Sequence, residues 1–172
     1  MPGQHGAAMQ RLSDYAKLLY NKQALKKTYG LTEKQFAKLV KFTSKSYAKN
    51  NNLSHDVSLM QFLERRCDVV LFRSGIAATI MQARQMITHG HWLLDGKKHN
   101  IPSTFLMPGQ TLTLQAKYQD SGLYQQVSSV IPPVYISHNK AKHEVVLQSM
   151  PIIDPETSSF DILKVIEFYA RA

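Results

Sequence analysis

Three groupings along the chain have residue types that chemistry uses. Glu64 and Asp68 stand four apart, a spacing that places two carboxylates on one helix face, as general acid–base work would want. Arg65 and Arg66 interleave with them, and at helical spacing that alternation reads as ordinary salt bridges. His89-x-His91 offers two metal-type nitrogens, but a helix-end histidine followed by a strand histidine reads as two side chains facing solvent or a partner. Cys67, the single cysteine, would need a neighbouring base to serve as a nucleophile. Within "ERRCDVVLF" it sits in an apolar-periodic run and reads as a small buried hydrophobe. One cysteine permits no intramolecular disulfide and is compatible with a reducing compartment. These groupings imply no catalytic residue, no metal and no cofactor.

The basic residues say more. The net charge is +9 over 172 residues. Residues 1–50 carry ten Lys/Arg against two acids, whereas residues 151–172 are net acidic. A concentrated positive field of this kind is the electrostatic footprint of a polyanion binder, although charge alone does not separate RNA, DNA and anionic lipid. Lys26-Lys27 and Lys97-Lys98 are paired lysines, and Arg84 lies on an apolar-periodic stretch between them. An arginine can grip a phosphate bidentately. The expectation is that Arg84 projects outward, beside the Gly90 turn and Lys97-Lys98, to do so.

The elements that must position these groups can be read from periodicity. The hydrophobic content of 44% allows a proper core, and no apolar run reaches the roughly 18–20 residues of a membrane span. Residues 1–12, with Pro2, Gly3 and Gly6, read as an extended arm lacking the apolar centre of a secretory signal. A first helix is expected from Ser13, as cap, to a stop at Gly30, and a second after Thr32 with Phe36, Leu39, Val40 and Thr43 on one face. Residues 50–56 read as a loop. A third helix is expected across 57–74, ended by Gly75, and a shorter one after Thr79, ended by Gly90. The period then changes to two. Asp95-Gly96 predicts a two-residue hairpin, Pro108-Gly109 introduces another strand, and a further strand pair is expected to turn at His138-Asn139. Trp92, in an alternating strand, reads as half-buried core rather than a base-stacking residue. Residues 119–131 are helical or irregular, and "FDILKVIEFYARA" is a closing helix or strand.

The run "RRCDVVLFRSGIAATIMQARQMITHGHWLLDGKKHNIPSTFLMPGQTL" resembles the RNA-binding module named after the fourth protein of the small ribosomal subunit. Arg66-Cys67-Asp68, Ala83-Arg84-Gln85-Met86, and Gly90 followed by Asp95-Gly96 carry the likeness. The flanks "PGQHG" at 2–6, "RLSDYAKLLYNKQALKKTYGLTEKQF" at 11–36, and the tail "PPVYISHNK" with "VIEFYARA" extend it over nearly the whole chain, and make it similar to the ribosomal protein family itself. The resemblance implies an α+β fold, with a helical domain and an inserted small α/β module of two helices on a short antiparallel sheet. Its expected divisions are an arm and helical domain over 1–64, the module over 65–118, and a segment over 119–172 packing back on the helical domain. It implies binding to small-subunit rRNA, to neighbouring small-subunit proteins and to mRNA near the entry site, in a ribosome of a bacterial cytoplasm or an organelle, with no membrane partner. The RNA-binding residues carried over, together with basic residues of the flanks, are Gln4, His5, Arg11, Lys22, Lys26, Lys27, Arg65, Arg66, Arg73, Arg84, Gln85, His89, Lys97 and Lys98. Members of the family usually have some forty residues before the proline-glycine-glutamine-histidine block, often with zinc-ligand cysteines. This sequence has none there, so no zinc is expected.

Two other readings come from different classes. An RNA-modifying enzyme such as a pseudouridine synthase also carries this module, but it needs a separate catalytic domain, and no stretch of that size remains after the module and helical flanks. A free-standing stress RNA binder lacks the "PGQHG" arm and the helices of 11–50. The expected role is therefore a structural constituent of the small subunit, one that nucleates assembly and helps line the mRNA entry region without making or breaking a bond.

Overall fold

A computed structural model describes residues 13–49, 54–119, 121–125, 130–151 and 161–171. Helix α1 (Asp14–Thr28) begins where the Ser13 side chain accepts a bond from the Ala16 amide, and Gly30 leaves it with φ +57°. Helix α2 (Glu33–Lys49) opens on a reciprocal pair: the Gln35 amide donates to the Thr32 hydroxyl, and the Gln35 side chain accepts from the Thr32 amide. This is a capping box, and it satisfies backbone donors that a helix start otherwise leaves free. Both expected helices are present.

The expected single helix over 57–74 is two. Helix α3 (His55–Glu64) stops, and α4 (Cys67–Arg73) restarts after Arg65 and Arg66. The break has a tertiary cause. Segment 102–106 runs alongside and captures the local backbone: the Leu106 amide donates to the Arg65 carbonyl, the Cys67 amide to Thr104, and the Asp68 amide to Pro102. The hydrophobic stripe runs on through the break, which is why periodicity does not reveal it. Helix α5 (Ile80–Thr88) follows, capped by the Thr79 side chain on the Gln82 amide.

Strands β1 (Trp92–Leu94) and β2 (Lys97–Lys98) form the expected hairpin. Asp95 and Gly96 both have positive φ, 48° and 77°, as a type I′ turn requires. Strand β3 (Thr111–Leu114) pairs with β1. A 3₁₀ turn (Ala116–Tyr118) and the short helix α6 (Gly122–Gln125) lead on to β4 (Ile136–Asn139) and β5 (Glu144–Leu147). The turn between these two strands lies at residues 140–143, with His143 at φ 47°, not at His138-Asn139, which belong to β4. The sheet is antiparallel in the order β2-β1-β3-β5-β4. The last element is helix α7 (Ile162–Arg171).

Two apolar cores result. One fills the space between α4, α5 and the sheet, with Leu71, Met86, Ile87, Leu112 and Leu147 fully buried. Trp92 is 1% exposed, deeper than the half-buried position expected. Cys67 is also buried there, and burial pushes its thiol well above the usual range, so it lacks the thiolate a nucleophile needs. The other core joins α1, α2 and α3 through Leu25, Phe36, Leu59 and Leu63, and takes in Ile162 and Val165 of α7. The C-terminal part therefore divides its packing. Strands β4 and β5 extend the sheet beside β3, while α7 lies against α1.

Candidate nucleic-acid interface

The two cores meet along a seam of buried charge. Asp68 is fully buried at the start of α4. Arg66 donates to it from Nε at 3.0 Å and Nη2 at 2.8 Å, and Arg84 from Nε at 3.0 Å and Nη2 at 2.8 Å. Arg84 also donates through Nη1 to the Gly30 carbonyl at 2.8 Å, past the end of α1. One guanidinium thus ties α5 to α4 and to the α1–α2 turn. A second buried carboxylate, Glu64 at the end of α3, accepts from Arg73 Nε at 3.0 Å and Nη2 at 2.8 Å. It also accepts from the Tyr29 hydroxyl and, at 2.9 Å, from the Tyr135 hydroxyl. Burial, with the Glu64 charge adding to it, pushes both phenols well above their ordinary range, so they stay protonated donors. Each buried carboxylate is thus saturated with donors, Asp68 by two guanidiniums and the Val69 amide, Glu64 by one guanidinium and two phenols, which offsets the cost of burying charge.

This seam corrects the expectation for Arg84. Its guanidinium does not project outward but holds two helices together through Asp68, with the side chain 21% exposed. The spacing of Glu64 and Asp68 does not produce a paired-carboxylate site either: each serves a separate arginine network, one from α3 and one from α4. Arg65 is buried as well, its Nε donating to the Leu106 carbonyl at 2.7 Å across the helix break. Lys22 and Lys26 pair with Glu33, both at 3.0 Å, so α1 is tied to the start of α2. Of the expected site residues, Lys22, Lys26, Arg65, Arg66, Arg73 and Arg84 therefore have internal partners.

A different set is left for a partner. Lys27, Gln85, His89, Lys97 and Lys98 are exposed. The Lys98 side chain lies over the Gly90 turn, where a Cβ at Gly90 would meet its Cε at 3.2 Å. Gly90, at φ +68°, thus lets the hairpin lysine close over the end of α5. Gln85 and His89 stand four apart on the outward face of α5, beside that lysine. Gln4, His5 and Arg11 lie outside the described residues.

Sequence reasoning missed the longest basic feature. Lys34, Lys38, Lys41 and Lys45 recur at i, i+4, i+7 and i+11 along α2, all exposed, opposite the buried Phe36, Leu39, Val40 and Thr43. None of the four pairs with an acid among the described residues. The signal was present in the spacing, because the same 3.6-residue period that marks the apolar face also aligns the lysines.

Among the described residues, no group of three or more His, Cys, Asp or Glu could hold a metal, and no helix is long and apolar enough to cross a membrane. The His89 and His91 rings lie 5.9 Å apart, and His91 is already engaged, stacked on Tyr118 and bonded through Nδ1 to the Tyr124 hydroxyl at 2.7 Å.

A two-helix module on a small antiparallel sheet, with free lysines on its hairpin, defines the class. Residues 65–112 match the S4 domain, and residues 1–64 match the family described as the ribosomal protein S4/S9 N-terminal domain. The boundary between the two matches falls at the break between α3 and α4. The chain is 38% identical to the small ribosomal subunit protein uS4 of Ligilactobacillus salivarius, covering 99% of this chain and 84% of that one. Against the uS4 of Herpetosiphon aurantiacus it is 35% identical, covering 99% and 82%. The uS4 of Geobacillus kaustophilus is 35% identical, with 99% and 84% covered. The chain belongs to the small ribosomal subunit protein uS4 family.

Proposed function

We propose that this protein is a structural constituent of the small ribosomal subunit that binds small-subunit rRNA directly and catalyses no reaction. The observation that supports it most is the division of its cations. Glu33, Glu64 and Asp68 engage five of the expected basic residues and the Leu106 carbonyl a sixth, Arg65, while Lys27, Lys97, Lys98 and the α2 stripe remain exposed. A rigid frame carrying unneutralised lysines suits recognition of folded RNA by shape and phosphate, since the deep groove of an A-form helix resists base reading. Lys27, Gln85, His89, Lys97 and Lys98 are the described residues assigned to that contact, with Gln4, His5 and Arg11 of the arm. The helical domain, the module and the C-terminal segment act as one platform. On it, early rRNA binding nucleates subunit assembly, neighbouring small-subunit proteins dock, and part of the mRNA entry region is lined. The location that follows from this reading is the ribosome, in the cytoplasm of a bacterium or in an organelle.

The test has two arms. Stoichiometric presence in small subunits washed at high salt is the expected result, and absence from them would defeat the ribosomal assignment. Binding of the purified chain to a small-subunit rRNA transcript should also weaken steeply with salt, the log affinity falling by about 0.7–0.9 per phosphate contact for each log unit of salt. An affinity indifferent to salt would defeat the phosphate mechanism.

A further inference from the structure

One groove lies outside the hairpin surface and touches the seam only at Arg66. It runs between α2 and segment 102–106, has a volume of about 320 Å³, and is lined by Gln35, Lys38, Leu39, Phe42, Arg66, Ser103 and Phe105. That volume is at the small end of the range for ligand pockets, about 300–1,000 Å³. Phe42 is 49% exposed. Its ring and that of Phe105 are nearly parallel, 9° apart in plane with centroids 6.4 Å apart. Phe62 packs edge-on against both, at 5.2 Å and 5.3 Å, and so fixes the orientation of the two rings. Arg66 contributes a positive wall that cannot swing away, because Asp68 holds its Nε and Nη2.

Lys38 lines the groove with Phe42, and Lys41 and Lys45 stand one and three residues from that ring on α2, none of the three with an acid partner among the described residues. Resting on the RNA-binding reading above, we infer that the groove receives one unpaired base of the RNA, stacked on Phe42 or Phe105. The phosphates on either side of that base lie along the lysine stripe of α2. Aromatic faces beside a track of cations are the combination by which single-stranded nucleic acid is held, since every base has a π-face and every linkage a charge. Fixed rings and a pinned arginine mean that the groove is formed before the RNA arrives, so little ordering cost is left for binding. A peptide of a neighbouring protein would need several acidic side chains to match the stripe, whereas RNA brings a charge with every nucleotide.

The probe is an in-vitro transcript of small-subunit rRNA, titrated with the full chain and two variants. Phe42→Leu keeps apolar bulk but removes the ring, and should weaken binding by about tenfold. Lys38→Gln, at an exposed position, should weaken binding and make the salt dependence shallower by about one contact. It keeps the test open should the ring substitution unfold the chain. Chemical probing should find an unpaired base whose Watson–Crick edge is protected by the wild type and reactive again with Phe42→Leu. Wild-type affinity in both variants, with no such base, would overturn the groove while leaving the RNA-binding reading intact. A photo-cross-linker at position 42 that captures a protein rather than RNA in intact small subunits would also overturn it. No binding of the transcript by the wild type would overturn the RNA-binding reading and this inference together.

Discussion

The seam between the cores and the outer face of α2 are both basic, yet they use their cations in opposite ways. On the seam, Arg66, Arg73 and Arg84 each place two nitrogens on a buried carboxylate; two tyrosine hydroxyls also donate to Glu64, and Arg84 also donates to the Gly30 carbonyl. On α2, Lys34, Lys38, Lys41 and Lys45 stand in solvent with no acid in reach among the described residues. The difference follows from side-chain chemistry. A planar guanidinium holds several bonds in fixed directions and tolerates partial burial, while an ammonium is a compact, strongly hydrated point charge. In this chain the arginines of the seam are architecture, and the lysines are what a polyanion would meet.

The seam should give the largest effect when broken. Asp68→Ala leaves Arg66 and Arg84 without their carboxylate and should cost about 3–5 kcal/mol of stability, read from urea denaturation. Arg84→Ala should cost less, about 1.5–3 kcal/mol, because Arg66 still neutralises Asp68. In Arg84→Ala, which leaves Arg66 held by Asp68, RNA affinity per folded molecule should match the wild type. If Arg84→Ala weakened RNA binding while its melting temperature held, Arg84 would belong with the contact residues and the division drawn here would be wrong.

The hairpin lysines sharpen the other half of the comparison. Lys97→Gln with Lys98→Gln should leave thermal stability within about 0.5 kcal/mol, since both side chains are exposed. The same pair should reduce the salt dependence of rRNA binding by between about one and two contacts. An unchanged slope would mean that the hairpin faces away from the RNA.

Local patterns made most elements legible, and they also explain what was missed. Ser13, Thr32 and Thr79 mark helix starts through short-range capping, and Asp95-Gly96 marks its turn through backbone chirality, so all four are visible in sequence. The break between α3 and α4 is imposed by carbonyls at Pro102 and Thr104 and by the amide of Leu106, roughly forty residues away, and no periodicity registers it. The role of Arg84 was hidden for the same reason. Its partners are Asp68 and the backbone at Gly30, 16 and 54 residues distant, and an arginine on an amphipathic helix looks alike whether it is spent inside or free. The strand pair at 136–147 was legible in kind but not in its turn, because His138 and Asn139 are held in β4 by pairing with Val145 and Glu144.

The smallest effect comes from a cluster that lies between the two regimes. Glu33, at the start of α2, accepts from Lys22 and Lys26 of α1 at 3.0 Å and from the Tyr169 hydroxyl of α7 at 2.6 Å. Partial burial alone would raise its pKa, but these three donors outweigh that and hold the carboxyl down at about 2. Because the folded value lies below the unfolded one, near 4.5, the unfolded chain binds more protons between these two values. Stability from this cluster is thus complete above about pH 4.5 and declines as pH falls toward 2. The Glu33 side chain is 46% exposed, so solvent screening limits the loss to about 1 kcal/mol or less, far under the full value of such a shift. Other carboxylates titrate over the same range, so the difference between wild type and Glu33→Gln is the quantity to follow. Urea midpoints taken from about pH 5 down to pH 2.5 should converge as acid is added, with the variant the less stable at the upper end. High salt should shrink the gap there as well, since the lysines reach this carboxylate from the protein surface. Parallel curves would show that Lys22, Lys26 and Tyr169 find equal support elsewhere, and Lys26 would then rejoin Lys27 as a cation available to RNA.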